Sequence, residues 1–259
     1  MWKLYGTSAL AVLTFMILLY AAAQAKKDNS IVDIGWGLGF VIVAATTFFS
    51  SGGDDERQLL VTGLTCVWGI RLAAYLLVRS IGRGEDYRYA NFRKQWGNRA
   101  ALIAFFRVFM MQGLILLLLS YPIVRVNAER GGNLDAAAYA GLAVWLVGFV
   151  FQVVGDAQLR RFKKNRTDKE AVLASGLWRY TRHPNYFGEA AMWWGVAIIV
   201  LPVAGGWGAL ISAALINLLL LKVSGVPFLD RRYADNPAYQ RYKKETNRFI
   251  PWFPRIGNR

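Results

Sequence analysis

The chain holds one cysteine, one histidine and only 16 Asp and Glu against 31 Lys and Arg. Cys66 stands alone inside an apolar run, which leaves no disulfide to form and no metal-ligand spacing, so a packed thiol is expected. His183 has no second histidine or cysteine nearby, which argues against a metal site. No Gly-x-Gly-x-x-Gly opens a helix after a strand, and no phosphate-binding P-loop occurs. No serine or cysteine sits in a recognisable nucleophile setting, and internal repeats and low-complexity linkers are missing.

What the chain does have is apolar sequence. Of its 259 residues 55% are hydrophobic, 10 are Trp, and the mean hydropathy is positive, a composition that reads as an integral membrane protein. The net charge of +15 could indicate a nucleic-acid partner, but the cations sit in the gaps between apolar runs and form no basic domain. No nucleic-acid partner is therefore expected.

Seven runs approach the ~20 residues needed to cross a bilayer: Leu4–Ala25, Ile31–Phe49, Leu59–Val78, Ala101–Ile123, Ala136–Val154, Ala190–Val203 and Trp207–Val223. The sixth is short, and Pro202 with Gly205-Gly206 predicts a tight turn into the seventh, making a helical hairpin. Of the 31 cations, 25 fall after the first, third, fifth and seventh runs, Lys222 included, whereas Lys3, Arg57, Arg125 and Arg130 lie on the opposite side. The positive-inside rule then places the N-terminus outside and the C-terminus in the cytoplasm. Ala23-Gln24-Ala25 imitates a signal-peptidase site, but cleavage there would translocate the Arg-rich segment Arg79–Arg99, so the first helix is expected to be retained. The expected fold is an all-α bundle of seven transmembrane helices forming a single domain over 1–259. Cytoplasmic loops at 79–100 and 156–186 and a tail at 224–259 complete it.

Polar groups inside the runs gather toward the cytoplasmic leaflet. Asp33 and Glu189 lie near that end, with Arg71 and Arg107 one to two turns deeper and Gln152, Asp156 and Lys222 close to the surface. Charges at such depth face a bundle interior and mark either a site or a structural ion pair. Together with the basic loops they imply a cavity open to the cytoplasm and suited to a phosphate-bearing anion, while the apolar outer half suits a molecule entering from lipid. Gly35, Gly37 and Gly39 predict close helix packing, and Gln112 and Asn217 predict cross-links between helices. Arg160-Arg161-Phe162-Lys163-Lys164 should carry the fifth helix into the headgroup layer, where each cation adds ~1 kcal/mol of attraction to anionic lipid. His183-Pro184 favours extended chain, so the sixth helix should begin at or after Asn185 as its cap. Tyr239, Tyr242 and Lys243-Lys244 read as a surface helix of the tail.

The most distinctive stretch is Gly176-Leu177-Trp178-Arg179-Tyr180 followed by Arg182-His183-Pro184-Asn185-Tyr186-Phe187-Gly188-Glu189. It resembles the signature of a bacterial membrane family, DUF1295, within the steroid 5-alpha-reductase-like superfamily. Asp33-Ile34-Gly35-Trp36-Gly37-Leu38-Gly39-Phe40, Trp68-Gly69-Ile70-Arg71-Leu72, Arg83-Gly84-Glu85-Asp86-Tyr87-Arg88-Tyr89, Ser224-Gly225-Val226-Pro227 and Phe249-Ile250-Pro251 extend the likeness over most of the chain.

The resemblance implies seven helices with NADPH bound from the cytoplasm. Asn185 and Glu189 would hold the nicotinamide end. Gln152, Asp156, Arg160, Lys163 and Arg179 match cofactor-contacting positions, Arg71 and Arg83 are candidates for phosphate or ribose, and Tyr180, Arg182, His183 and Tyr186 are neighbours of the same site. Hydride would pass to the beta-carbon of a conjugated carbonyl in a lipophilic, steroid- or isoprenoid-like substrate. The carbonyl-binding Glu and Tyr of the steroid enzymes fall nearest Asp33 and Trp68 here, and Trp donates a hydrogen bond without serving as a proton donor.

The alternative is an S-adenosylmethionine-dependent methyltransferase of the isoprenylcysteine or phospholipid type, whose members also carry an Arg-His-Pro-x-Tyr-x-Gly segment. Those enzymes tend to have an acidic pair after the last helix, where this chain has Phe228-Leu229-Asp230-Arg231-Arg232. A non-enzymatic lipid-binding protein would need neither Asn185 nor Glu189. The expected location is a bacterial inner membrane, with the bilayer and a lipophilic small molecule as partners.

Overall fold

Inside a bilayer no water satisfies backbone N–H and C=O groups, so a spanning apolar segment closes its hydrogen bonds internally as a helix. In the structure, a computed structural model that describes residues 1–129, 133–168, 170–223 and 225–255, the apolar runs are helices and the described residues contain no strand. Arg130, Ser224 and the last four residues of the tail lie outside the described residues. Helices α1 (Trp2–Lys26), α2 (Ile31–Ser51) and α3 (Glu56–Ser80) lead the chain. Then come α4 (Tyr87–Trp96), α5 (Ala100–Ala104), a π-helical turn at Phe105–Met110, α6 (Met111–Leu119) and α7 (Tyr121–Asn127). The remainder is α8 (Ala136–Asn165), α9 (Pro184–Val200), α10 (Gly208–Leu218), α11 (Val226–Arg232) and α12 (Pro237–Glu245).

Among the described residues six helical stretches are long and apolar enough to cross a membrane: Trp2–Lys26, Ile31–Ser51, Glu56–Ser80, Tyr87–Leu119, Ala136–Asn165 and Gly208–Phe228. The sixth sequence run corresponds to α9, whose 17 residues leave it just shorter than the other six. The fourth stretch begins with α4 at Tyr87, so much of segment 79–100 is helical, and a 3-10 turn at Gly97–Arg99 joins α4 to α5. Asp86 starts α4 by accepting the Arg88 N–H, and Asp55 starts α3 by accepting the N–H groups of Arg57 and Gln58. Arg107, expected to face a bundle interior, instead lies exposed on the π-helical turn.

The chain divides into two compact units, residues 1–135 with 200–208, and 136–199 with 209–259. In the first, α2 packs on both α1 and α3. A Cβ on Gly69 would stand 2.5 Å from the Gly37 carbonyl oxygen, so the glycine-rich stretch of α2 serves close helix packing as its composition implied. Phe40 and Trp68 fill the space beside this contact with ring centroids 5.4 Å apart.

In the second unit the same device recurs along α8 and α9. A Cβ on Gly141 would meet the Gly195 carbonyl oxygen at 2.5 Å, and one on Gly148 would meet that of Gly188 at 2.6 Å. Gly155 continues the seven-residue spacing and faces Pro184 and the Asn185 nitrogen, each 3.2 Å from where a Cβ would be.

One expectation is corrected here. Helix α9 starts at Pro184, one residue before the expected cap, because proline at the first helical position loses no hydrogen bond and has its φ preset. The surface helix expected in the tail is α12, with Lys243 and Lys244 exposed and Tyr239 and Tyr242 buried against its own unit.

A branched side chain at Gly148 forces α8 and α9 apart. Gly148→Val is expected to lower the unfolding free energy of the detergent-solubilised protein by ~1–3 kcal/mol. Gly63→Ala on α3, where an added Cβ meets nothing within 4 Å, is expected to raise it by up to ~1 kcal/mol. Thermal unfolding of the two variants side by side checks the contrast, and equal melting shifts would contradict it.

Candidate functional site

Residues 152, 156, 160 and 163 recur on one face of α8 at spacings of four, four and three. Its inner part meets the first turns of α9 across the Gly148 and Gly155 contacts, which brings two polar pairs together. Gln152 Nε2 donates to Glu189 Oε2 at 3.4 Å, and Asn185 Nδ2 donates to Asp156 Oδ1 at 3.1 Å. Gln152, Asp156 and Glu189 are all buried. The outer part of the same face carries Arg160 and Lys163, both exposed.

The chain entering α9 is tied down from both sides. The Trp178 indole N–H donates to the Gly155 carbonyl at 3.1 Å, docking the 3-10 turn Gly176–Arg179 on α8. From the other side the tail clasps it. Arg182 N–H donates to the Asn247 carbonyl at 2.9 Å, Trp252 N–H to the Tyr180 carbonyl at 3.0 Å, and the Thr181 hydroxyl to the Phe249 carbonyl at 2.7 Å. The Tyr242 hydroxyl donates to the Trp178 carbonyl.

This clasp buries charge. The Arg182 guanidinium pairs with Asp230 at 3.0 Å, and the Tyr239 hydroxyl donates to the same Asp230 oxygen at 2.7 Å. Burial by itself would raise the Asp230 pKa, but the Tyr239 hydrogen bond and the Arg182 and Lys243 charges outweigh it and hold the carboxyl below its ordinary value. Asp230 and Tyr239 were not singled out as site residues from sequence. The signal available was Asp230 as the first acid after the last span, directly before Arg231 and Arg232.

His183 is 2% exposed and stacks on Tyr186 with ring centroids 5.5 Å apart. Both of its ring nitrogens are buried without a hydrogen-bond partner among the described residues, as is Gln152 Oε1. Burial, reinforced by the Arg182 charge, lowers the His183 pKa from 6.5 to about 3. Arg179 and Tyr180 lie on the exposed side of the same segment.

The first unit holds the other expected site residues. Asp33, in the first turn of α2, is engaged on both oxygens: the Tyr89 hydroxyl donates to Oδ1 at 2.6 Å and Arg88 to Oδ2 at 2.7 Å. Asp86 also accepts from the Arg88 side chain at 2.9 Å, and Gln112 Nε2 reaches the Tyr89 oxygen at 3.5 Å. Trp68 is 4% exposed in the core between α2 and α3 beside Phe40. Arg71 lies over the Tyr75 ring at 5.1 Å, and Arg83 is exposed in the turn before α4. Arg88 and Tyr89, the actual partners of Asp33, stood in the sequence inside the Asp86-capped segment without being singled out.

Compared with known proteins, residues 19–246 match the model of the family described as "Protein of unknown function (DUF1295)", and the chain belongs to that family. It is 24% identical to an uncharacterised protein of Schizosaccharomyces pombe, over 95% of this chain and 81% of that protein. A shorter likeness links it to 3-oxo-5-alpha-steroid 4-dehydrogenase 1. Identity is 38% with the Mus musculus protein over 22% of this chain and 23% of that one. With the Bos taurus protein it is 31% over 27% and 28%. The chain thus spans about a quarter of the steroid enzymes it matches. No solved structure matches.

The buried histidine predicts a pH dependence. In the folded chain His183 resists a proton that the unfolded chain accepts near 6.5, so its stabilising contribution is complete above that pH and is lost as pH falls toward 3. The slope reaches ~1.4 kcal/mol per pH unit inside that window. Asp230, with its pKa below 3.8, loses its own contribution only at lower pH. Unfolding free energy measured from pH 7 to 4 should therefore fall steeply in the wild type and clearly less in His183→Gln.

Proposed function

We propose that the protein is an NADPH-dependent membrane oxidoreductase that reduces a conjugated carbon–carbon double bond of a lipophilic carbonyl compound. Six long apolar helices with α9 as a seventh, the N-terminus outside and the C-terminus cytoplasmic, complete the topology that the cation distribution supports. The likeness to 3-oxo-5-alpha-steroid 4-dehydrogenase 1 supports the reaction class.

The observation that carries the reading is the buried polar cluster of α8 and α9. Gln152 with Glu189, and Asp156 with Asn185, pair amides with carboxylates, and Gln152 Oε1 and both His183 ring nitrogens remain without partners. Buried polar atoms that the protein leaves unsatisfied favour a polar ligand that satisfies them. A nicotinamide carboxamide, with donors on one side and an acceptor on the other, fits that need. The exposed Arg160, Lys163 and Arg179 supply cations for phosphate. When bound, the cofactor supplies the hydride that the substrate's beta-carbon accepts.

The carbonyl oxygen gains negative charge as hydride arrives and needs a proton or a strong donor. The resemblance puts Asp33 and Trp68 nearest the positions that would serve it. Within the first unit the Tyr89 hydroxyl and Arg88 both donate to Asp33, and Trp68 packs in the core.

The test is thermal stabilisation of the detergent-purified protein by NADPH, NADH or S-adenosylmethionine. A ligand that binds only the folded state adds ~2.7 kcal/mol at one hundred times its dissociation constant. NADPH is expected to stabilise the wild type and to fail with Glu189→Ala. Stabilisation by S-adenosylmethionine alone would overturn the proposal in favour of a methyltransferase, and silence from all three would favour a non-enzymatic lipid-binding protein. Asp33→Asn should keep the NADPH shift and lower turnover of an enone by ~10²-fold or more. Unchanged turnover would remove Asp33 from the mechanism.

A further inference from the structure

Past its apolar stretch, α8 carries a second set of polar side chains on the face opposite the cofactor candidates. Gln158, Arg161, Phe162 and Asn165 follow the helical spacing of three and four, and at 100° per residue they lie roughly half a turn from Asp156, Arg160 and Lys163. With Arg166, Leu173 and Ser175 they line an open cavity of 460 Å³. None of the residues assigned above to the cofactor or the carbonyl borders it.

The cavity is built rather than incidental. Gln158 Oε1 accepts the Leu177 N–H at 3.1 Å, which fixes the amide with its oxygen used and leaves its NH2 donors for the cavity it lines. Gly176 presses against that amide at φ +61°, and an added Cβ would collide with the Gln158 side chain. The segment 173–177 thus has one glycine that permits both the turn and the close approach, and it closes the cavity wall.

Its chemistry is of one sign. Two guanidiniums, two amides and a hydroxyl line the space with no carboxylate among them. Among the described residues neither nearby acid borders the space: Asp168 caps the Glu170 N–H at 2.8 Å, and the Glu170 carboxylate accepts from Asn236 at 2.8 Å. Phe162 and Leu173 add an apolar wall. An anion with several acceptor oxygens on a small organic group matches this lining, because the planar guanidinium fork pairs two oxygens at once.

We infer that this cavity is a second ligand site, separate from the cofactor cluster, that binds a phosphate ester. The phosphate could belong to a phospholipid headgroup or to a soluble phosphorylated compound, since the recognition chemistry is the same. Calorimetric titration of the detergent-solubilised protein with dihexanoyl phosphatidylglycerol and with glycerol 3-phosphate separates these sources. Saturable binding of either one is expected. Its affinity should fall about tenfold or more in Arg161→Gln, the loss expected when a charge-assisted hydrogen bond is removed. It should be unchanged in Arg160→Gln on the opposite face. Binding of the lipid alone assigns a headgroup, and binding of the soluble ester assigns a free compound. Arg161 is exposed, so its variant keeps the test open even where Arg161→Gln combined with Arg166→Gln fails to fold. Absence of saturable binding by both probes overturns the inference, as does equal affinity in wild type and Arg161→Gln. If neither probe binds and Arg161→Gln instead weakens NADPH, the cavity belongs to the cofactor, and the inference fails while the proposed reductase stands.

Discussion

Glycine at 141, 148 and 155, one every seven residues along α8, lets the backbone of α9 approach to contact distance, and the buried polar chemistry of the second unit follows from that approach. In lipid, helices gain little from burying apolar surface against each other, so close backbone contact and interhelical hydrogen bonds hold them together. The seven-residue repeat keeps the glycines on one stripe, and Gly188 and Gly195 repeat it on the partner. With the two backbones so close, Gln152 and Asp156 on α8 meet Glu189 and Asn185 on α9 with water removed. A larger residue in the stripe would separate the helices, break both pairs and leave buried carboxylates exposed to an apolar medium, where their cost rises steeply.

The tail solves a related electrostatic problem. The segment before α9 carries Arg182 and His183 into the interior, and an unpaired guanidinium there would cost several kcal/mol. Asp230 from α11 answers it, and Tyr239 from α12 fixes the carboxylate by donating to the same oxygen. Backbone bonds from Arg182 to Asn247 and from Trp252 to Tyr180 then hold the chain in place. Burial, with the cation next to His183, disfavours a positive charge there, so the imidazole stays neutral. The tail is therefore part of what sets the chemistry of the Arg-His-Pro segment.

Periodicity and charge distribution made the helical architecture legible before the structure, because apolar length and backbone satisfaction leave few alternatives in a membrane. The likeness in Arg182 to Glu189 pointed to the neighbourhood in which buried polar atoms lack partners. What the residues could not reveal was partnership. Asp33 read as a depth-placed acid that marks either a site or an ion pair, and its partners Tyr89 and Arg88, more than fifty positions away in sequence, could not be named from it. Trp68 fell near the carbonyl position that the family resemblance implies, and it packs into the core, because the Gly37 and Gly69 approach draws α2 and α3 together around it. Asp230 looked like one of a few acids in a basic tail, and its role depends on a fold-back that no local pattern encodes.

The same limit explains why the two faces of α8 went unseparated in a linear reading. Up to Val154 the helix must show lipid an apolar surface on some side, and its polar residues are confined to the stripe facing α9. Beyond that point the constraint lifts and polar residues surround the axis, so Arg160-Arg161-Phe162-Lys163-Lys164 reads as one basic cluster. Folded, Arg160 and Lys163 extend the line of Asp156, while Arg161 and Phe162 turn toward the cavity that Gly176 and Leu177 help to close. One run of neighbouring cations is thus divided by the helical period into two surfaces with different neighbours. Each surface is positive where it meets solvent, and only the one facing α9 continues inward to buried carboxylates.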